Sequence, residues 1–236
     1  MRLDFAGERV LAVVAHPDDA ELLCAGTLAR AKDDGAAVGI CVLCRGDKGQ
    51  PATPIPQLAA VRKREAQASA KVLGGRLLWC GFADGELADG PSERRKLLRA
   101  YRAFRPTLVL AHAPEDYHPD HRAASALAEA VTWFAASRGQ TTRQPVLERQ
   151  PQLWWMDTVE MHGFEPGFYL NISRWLDVKT RMLRCHRSQL QRAGDEDFAP
   201  LEQMMQRQCS TRGSQAGVVA AEAFRIQRSF KRVRAW

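Results

Sequence analysis

Residues 10–33 read VLAVVAHPDDAELLCAGTLARAKD. An unbroken apolar run over 10–15 meets a polar, proline-containing turn, and from Glu21 to Asp33 apolar residues recur at helical spacing before Gly35. A short run that is apolar at every position, not at alternate ones, suits a strand covered on both faces, as in a parallel sheet with helices above and below. The same rhythm continues outward. Runs at 37–44, 76–80 and 107–112 predict further strands, and the stretches 57–73, 91–104 and 121–136 predict helices between and after them. Later segments predict strands at 153–156 and 168–172 and helices at 174–191 and 200–208, followed by a tail in which Phe224, Ile226 and Phe230 alternate with polar residues. The expected architecture is α/β: an open, Rossmann-like, doubly wound and mostly parallel sheet, helices on both faces, with a C-terminal elaboration. No internal repeat or linker divides the chain, so residues 1–236 are expected to form one domain.

Composition agrees with such a domain. With 236 residues, 45% hydrophobic and 26% charged, the chain can bury a sizeable core, which excludes a disordered tail or a disulfide-stapled miniprotein. Its formal net charge of +7 would suit nucleic acid, an anionic membrane or an acidic substrate. The basic residues are spread over many predicted helices and the chain end, RIQRSFKRVR at 225–234, without a stripe of interleaved aromatics, so nucleic acid is not the expected partner. No stretch of about 18 apolar residues occurs, and Asp4, Glu8 and Arg9 interrupt any signal-like segment, so no membrane partner is expected. Cysteines 24, 41, 44, 80, 185 and 209 mostly sit in apolar runs, which predicts reduced thiols and a cytoplasmic protein.

Chemistry concentrates where strands end. His16-Pro17-Asp18-Asp19-Ala20-Glu21 follows the first strand, and His118-Pro119-Asp120-His121 follows the fourth. Ligands of doubly wound sheets collect at the carboxyl ends of strands, and imidazole with carboxylate is the donor set of a divalent metal. Catalytic zinc takes three protein ligands and leaves a position for water, whose proton a neighbouring carboxylate can accept. The adjacent aspartates are expected to point different ways, one to the metal and one to the water. A structural reading also exists, in which the strand-end histidines pack and Asp18-Asp19 caps the following helix.

The pairing of AHPDDAE with HPDH resembles the LmbE-like (PIG-L) deacetylase family. Arg45-Gly46-Asp47-Lys48-Gly49, Arg62-x-x-Glu65-Ala66 and Phe82-Ala83-Asp84-Gly85 are similar to further family motifs. Cys185-His186-Arg187-Ser188-Gln189, Arg212-Gly213 and Ala221-Glu222-Ala223-Phe224 are similar to its bacillithiol-type branch. The resemblance implies Zn2+, with Fe2+ or another divalent ion able to replace it, held by His16, Asp19 and His121, and a general base at Asp18. It further implies that His118, protonated, stabilises the oxyanion or serves the leaving amine, that Asp120 orients it, and that Arg62 and Asp84 contact the sugar. The implied substrate is a small N-acetyl amino sugar conjugate such as N-acetylglucosaminyl-malate, and the implied assembly is a homo-oligomer. Tyr117 stands where that branch often has arginine before HPDH. Another N-acyl compound as substrate, and a non-catalytic basic binding protein, are the competing readings.

Other motifs carry less. Cys41-x-x-Cys44 lacks a second such pair, His112 at a strand end either backs a ligand or, the reading favoured for it as for His162, is structural, Trp154, Trp155 and Trp175 read as packing residues, and His186 is open between structure and function.

Overall fold

The computed structural model describes residues 4–194 and 200–228. Strands β1 (Arg9–Val14), β2 (Ala37–Cys44), β3 (Arg76–Phe82), β4 (Leu108–His112), β5 (Gln152–Met156), β6 (Phe168–Asn171) and β7 (Ala221–Ile226) join in one sheet, ordered β3-β2-β1-β4-β5-β7-β6. The first five pair in parallel, while β7 runs antiparallel to both β5 and β6. Side chains of β1 alternate between two cores: Val10, Ala12 and Val14 enter one, Leu11 and Val13 the other. That two-sided burial is why the run is apolar throughout.

Helices α1 (Asp19–Leu23) and α2 (Ala25–Asp33) precede β2, α3 (Leu58–Leu73) precedes β3, α4 (Pro91–Phe104) precedes β4, and α5 (Pro119–Phe134) follows it. The chain then forms α6 (Leu176–Leu183), α7 (Arg187–Leu190) and α8 (Leu201–Ala216) before β7. Leu97, Tyr101, Leu127 and Val131 of α4 and α5 pack on one face; Leu23, Leu28, Met182 and Met205 of α1, α2, α6 and α8 pack on the other.

Three elements differ from expectation. The helix predicted over 21–33 is two helices, broken at Cys24. The helix predicted over 174–191 is interrupted at Cys185-His186, and this break buries His186 completely. The helix predicted to stop at 208 continues through Gly213, where a Cβ would lie 2.6 Å from the Val219 carbonyl oxygen, so glycine serves a close backbone approach and not a helix end. Of the alternating tail, 221–226 forms the antiparallel β7, and Phe230 lies outside the described residues.

The sheet order places the site. From β1 the chain winds outward through β2 and β3, then returns to β4 on the other flank of β1, so a crevice opens at the carboxyl ends of β1 and β4. Both His/Asp loops begin there.

Candidate metal centre

Between β1 and α1 the chain must reverse within a few residues. Asp18 takes up the bend with φ 107° and ψ −24°, a left-handed conformation that side chains with a Cβ avoid. The Asp19 carboxylate closes the turn by accepting the His16 backbone N–H at 2.7 Å. The two aspartates diverge: Asp19 faces His16, His112 and His121, whereas Asp18 Oδ2 accepts a hydrogen bond from Arg62 Nη2 at 2.9 Å.

The second loop is organised by a helix start. Pro119 occupies the first turn of α5, and His118 caps it, its Nδ1 accepting the Asp120 backbone N–H at 3.1 Å. An accepting Nδ1 leaves the ring proton on Nε2. Burial, with His121 and His16 beside it, lowers the pKa of His118, a direction that disfavours the protonated form the resemblance implies.

His16, Asp19 and His121 converge. His16 Nδ1 lies 3.6 Å from Asp19 Oδ2, His121 Nε2 lies 3.4 Å from Asp19 Oδ1, and the two rings are 5.4 Å apart. The remaining nitrogen of each histidine meets a carboxylate: His16 Nε2 is 3.0 Å from Asp120 Oδ2, and His121 Nδ1 is 3.0 Å from Asp116 Oδ1. Carboxylates backing imidazoles in this way are the usual second layer of a metal site. Two nitrogens and a carboxylate suit zinc and other first-row divalent ions, so the donor set fits the implied metal. Among the described residues, the groupings whose ligand atoms all lie within 4.8 Å of one another are His16 with His118 and His121, His16 with Cys44 and Asp120, and Asp19 with His112 and His121; the expected trio spans two of these and is not itself one of them.

The charges are tuned by these contacts. Burial alone would raise Asp19, but His121 and His112 outweigh it and hold the carboxyl well below its usual range. Burial raises Asp18, opposed by Arg62. Burial would lower both histidines, yet Asp120 and Asp19 push His16 up to about 9, and Asp19 and Asp116 push His121 up to about 10.

A cleft of about 420 Å³ opens over these groups, lined by His16, Asp18, Asp19, Arg62, Tyr117 and His118 together with apolar Val159, Leu201 and Met204. Tyr117 stands exposed beside His118 and His121. A larger cavity, about 880 Å³, lies at the other end of the sheet between Arg9, Thr107, Trp133 and Gln152, and among the described residues no histidine, cysteine or aspartate lines it.

Three expected roles meet different contacts. The Asp120 carboxylate contacts His16 and the Gly85 N–H, not His118, which it reaches only through its backbone. Arg62 is buried and engaged with Asp18 and the Pro17 carbonyl. Asp84 is buried and accepts the Gly46 and Lys48 N–H groups at 2.7 and 3.1 Å, outside the cleft lining. One residue of the site does not stand out in the sequence: Asp116, for which no role is expected, backs His121. His112 is buried, its Nε2 accepting the Ala15 backbone N–H at 3.1 Å and lying 3.2 Å from Asp19, so both roles open to it from the sequence find contacts. The signal for both residues is position, at and just after the end of β4. Cys41 faces Cys80 with its sulfur 4.0 Å away, so Cys41 and Cys44 do not act as a pair.

The chain is similar to known proteins in sequence and in fold. The family model of PIG-L, GlcNAc-PI de-N-acetylase, matches residues 11–132. Diacetylchitobiose deacetylase of Thermococcus kodakarensis is 29% identical over 192 residues, 77% of this chain and 70% of its own. A 4-oxalmesaconate hydratase of Pseudomonas putida is 24% identical over 184 residues, 74% of this chain and 71% of its own. The crystal structure of the conserved protein TT1542 from Thermus thermophilus superposes with a TM-score of 0.80 at 35% identity, covering 97% of this chain and all of that one.

Proposed function

This chain belongs to the PIG-L family of GlcNAc-PI de-N-acetylases, and we propose that it removes acetyl from an N-acetylglucosaminyl small-molecule conjugate, with zinc held by His16, Asp19 and His121. The observation that carries this reading is the division of labour between adjacent aspartates, one turned to the two backed histidines and the other to Arg62 at the cleft.

Bound zinc supplies Lewis acidity, polarising the acetamide carbonyl and lowering the pKa of the attacking water. The chain's residues do the rest. Asp18, pinned through Oδ2, has its other oxygen available to take the proton from water as it attacks. His118, with its proton on Nε2, donates to the oxygen on which negative charge develops. The proton gathered by Asp18 then passes to the departing amine, which closes the cycle with Asp18 ionised again.

Within this chemistry the first candidate is an N-acetylglucosaminyl-malate-like, bacillithiol-type substrate, supported by the motifs at 185–189, 212–213 and 221–224. A second reading, a chitobiose-like N-acetyl disaccharide, is favoured by the similarity to diacetylchitobiose deacetylase and by uncharged Tyr117 at the cleft. Free, mostly buried thiols support a cytoplasmic setting. Zinc-loaded protein incubated with N-acetylglucosaminyl-malate, diacetylchitobiose and free N-acetylglucosamine decides the matter by acetate released. Release from the malate conjugate above the other two is expected; release chiefly from the disaccharide selects the second reading, and release from none removes both.

A further inference from the structure

Three arginines that the metal centre does not use line one space. A cavity of about 590 Å³ lies between α4 and the segment that follows α5, lined by Arg95, Arg99, Thr141, Thr142, Arg143 and Gln144. It shares no residue with the metal-site cleft, and among the described residues no aspartate or glutamate lines it.

The walls are tied together from inside the fold. Arg102 of α4, 2% exposed, donates to the Ala135, Ser137 and Gln140 carbonyls at 3.2, 2.8 and 2.6 Å and to Thr142 Oγ1 at 3.0 Å. Thr142 Oγ1 carries the tie onward, donating to the Gln144 carbonyl at 2.9 Å. The segment that bears Thr141, Arg143 and Gln144 is thereby fixed against the helix that bears Arg95 and Arg99.

The cations gathered there lack a counter-charge. Exposed arginines elsewhere pair, Arg94 with Asp89, Arg181 with Asp177 and Arg184 with Glu202, whereas Arg95, Arg99 and Arg143 have no carboxylate partner among the described residues. Arg95 and Arg99 stand one turn apart on α4, a spacing at which like charges repel. Gln144 gives a second, independent indication: its Oε1 is buried without a hydrogen-bond partner. Such an acceptor calls for an O–H or N–H donor. An ionised carboxylate has neither, but a terminal phosphoryl group, whose last proton leaves at about pH 6, or the sugar hydroxyl of a nucleotide supplies one.

We infer that this cavity binds a small anion of linked phosphoryl groups, free or as the phosphates of a nucleotide. Guanidiniums take phosphoryl oxygens in pairs, and the Thr141 hydroxyl and the Gln144 amide complete the set. Three positive charges call for more than one phosphoryl group, each of which carries about two negative charges at most. The volume suits a small molecule, whose sites span about 300–1,000 Å³. The site is independent of the metal centre and of the deacetylase reading.

The test is isothermal titration of zinc-loaded protein with inorganic triphosphate, ATP and inorganic phosphate, repeated with Arg99→Gln, Arg143→Gln and, as a control that removes the same charge from an exposed position outside the cavity, Lys71→Gln. Triphosphate should bind one-to-one and at least about tenfold more tightly than phosphate. Each arginine variant should lose about tenfold or more, the worth of one charge-assisted hydrogen bond, while Lys71→Gln binds as the wild type does. ATP tighter than triphosphate identifies a nucleotide as the source and equal affinity a free oligophosphate; both uphold the site. An equal loss in Lys71→Gln reduces the effect to net charge, and binding that survives both arginine substitutions puts the anion elsewhere, the metal centre included. Either result overturns the site, as does no binding at all. Arg99 and Arg143 are exposed, so both variants should fold; triphosphate should raise the melting temperature of the wild type and not that of Arg99→Gln. Should a variant fail to fold, a crystal structure of the wild type with triphosphate decides: the anion should lie against Arg95, Arg99 and Arg143, and its lying elsewhere overturns the site.

Discussion

At the scale of single residues, the site turns on two neighbours with opposite environments. Asp19 is held well below the usual carboxylate range by His121 and His112 against its burial, which suits a metal ligand, while burial raises Asp18 against the pull of Arg62, which suits a proton acceptor. Asp18→Asn should therefore keep its zinc yet lose about a hundredfold or more in kcat, and metal analysis beside turnover checks it; near wild-type turnover at full metal content would exclude Asp18 as the base. Without a cation, His16 and His121 are pushed up to about 9 and about 10, from an ordinary 6.5. A raised histidine stabilises the fold below pH 6.5 and loses that contribution as pH climbs through its folded value. Metal must displace those protons, so zinc affinity should climb from about pH 6 toward the range of about 9 to 10, and chelator competition across pH measures the slope. Asp116→Asn should weaken zinc binding about 10- to 100-fold by freeing the His121 ring. The residues proposed as ligands stand out in the sequence because they sit in two contiguous motifs whose residue types have few other uses. Asp116 does not stand out, since a lone aspartate in a loop looks the same whether it packs or backs a ligand, and His112, a histidine ending an apolar strand, is left open between those two roles for the same reason.

At the scale of elements, a buried ion pair of the C-terminal part is tied by its hydrogen bonds to the first βα unit. Glu222 on β7 accepts the Gly26 and Thr27 N–H groups at the start of α2, and Lys179 of α6 donates to it at 2.6 Å. Both charged side chains are buried, so Glu222→Ala leaves a buried ammonium and should cost about 3–5 kcal/mol of stability, read from urea unfolding. Lys179→Met with Glu222→Leu should recover much of that loss, because the unpaired charge is gone. The sequence rhythm located these elements well wherever burial was two-sided. It failed at the break before α7, where helical spacing runs on through Cys185-His186. There tertiary contacts win: Glu65 accepts both the backbone N–H and the hydroxyl of Ser188, at 2.8 and 2.6 Å, and His186 Nε2 lies 3.3 Å from buried Glu21. No local pattern announces partners more than a hundred residues away.

At the scale of the whole molecule, strand order does what no single motif can, bringing residues 16–19 and 116–121 together at the crevice where the winding of the sheet reverses. The net charge of +7 acts at this scale as well. If the basic surface draws an anionic conjugate to the cleft, kcat/KM for an acidic substrate should fall with added salt more steeply than for a neutral one, and equal slopes would remove that role. Among the described residues no helix is long and apolar enough to cross a membrane. The central claim joins metal, base and amide hydrolysis, and one titration reaches all of it. Chelator-stripped protein is titrated with zinc while bound metal and acetate released from an N-acetylglucosaminyl conjugate are followed together. Acetate release should rise in step with the first equivalent of zinc and be absent in His121→Ala, whereas release that ignores chelation, or zinc that binds without any release, would contradict the account.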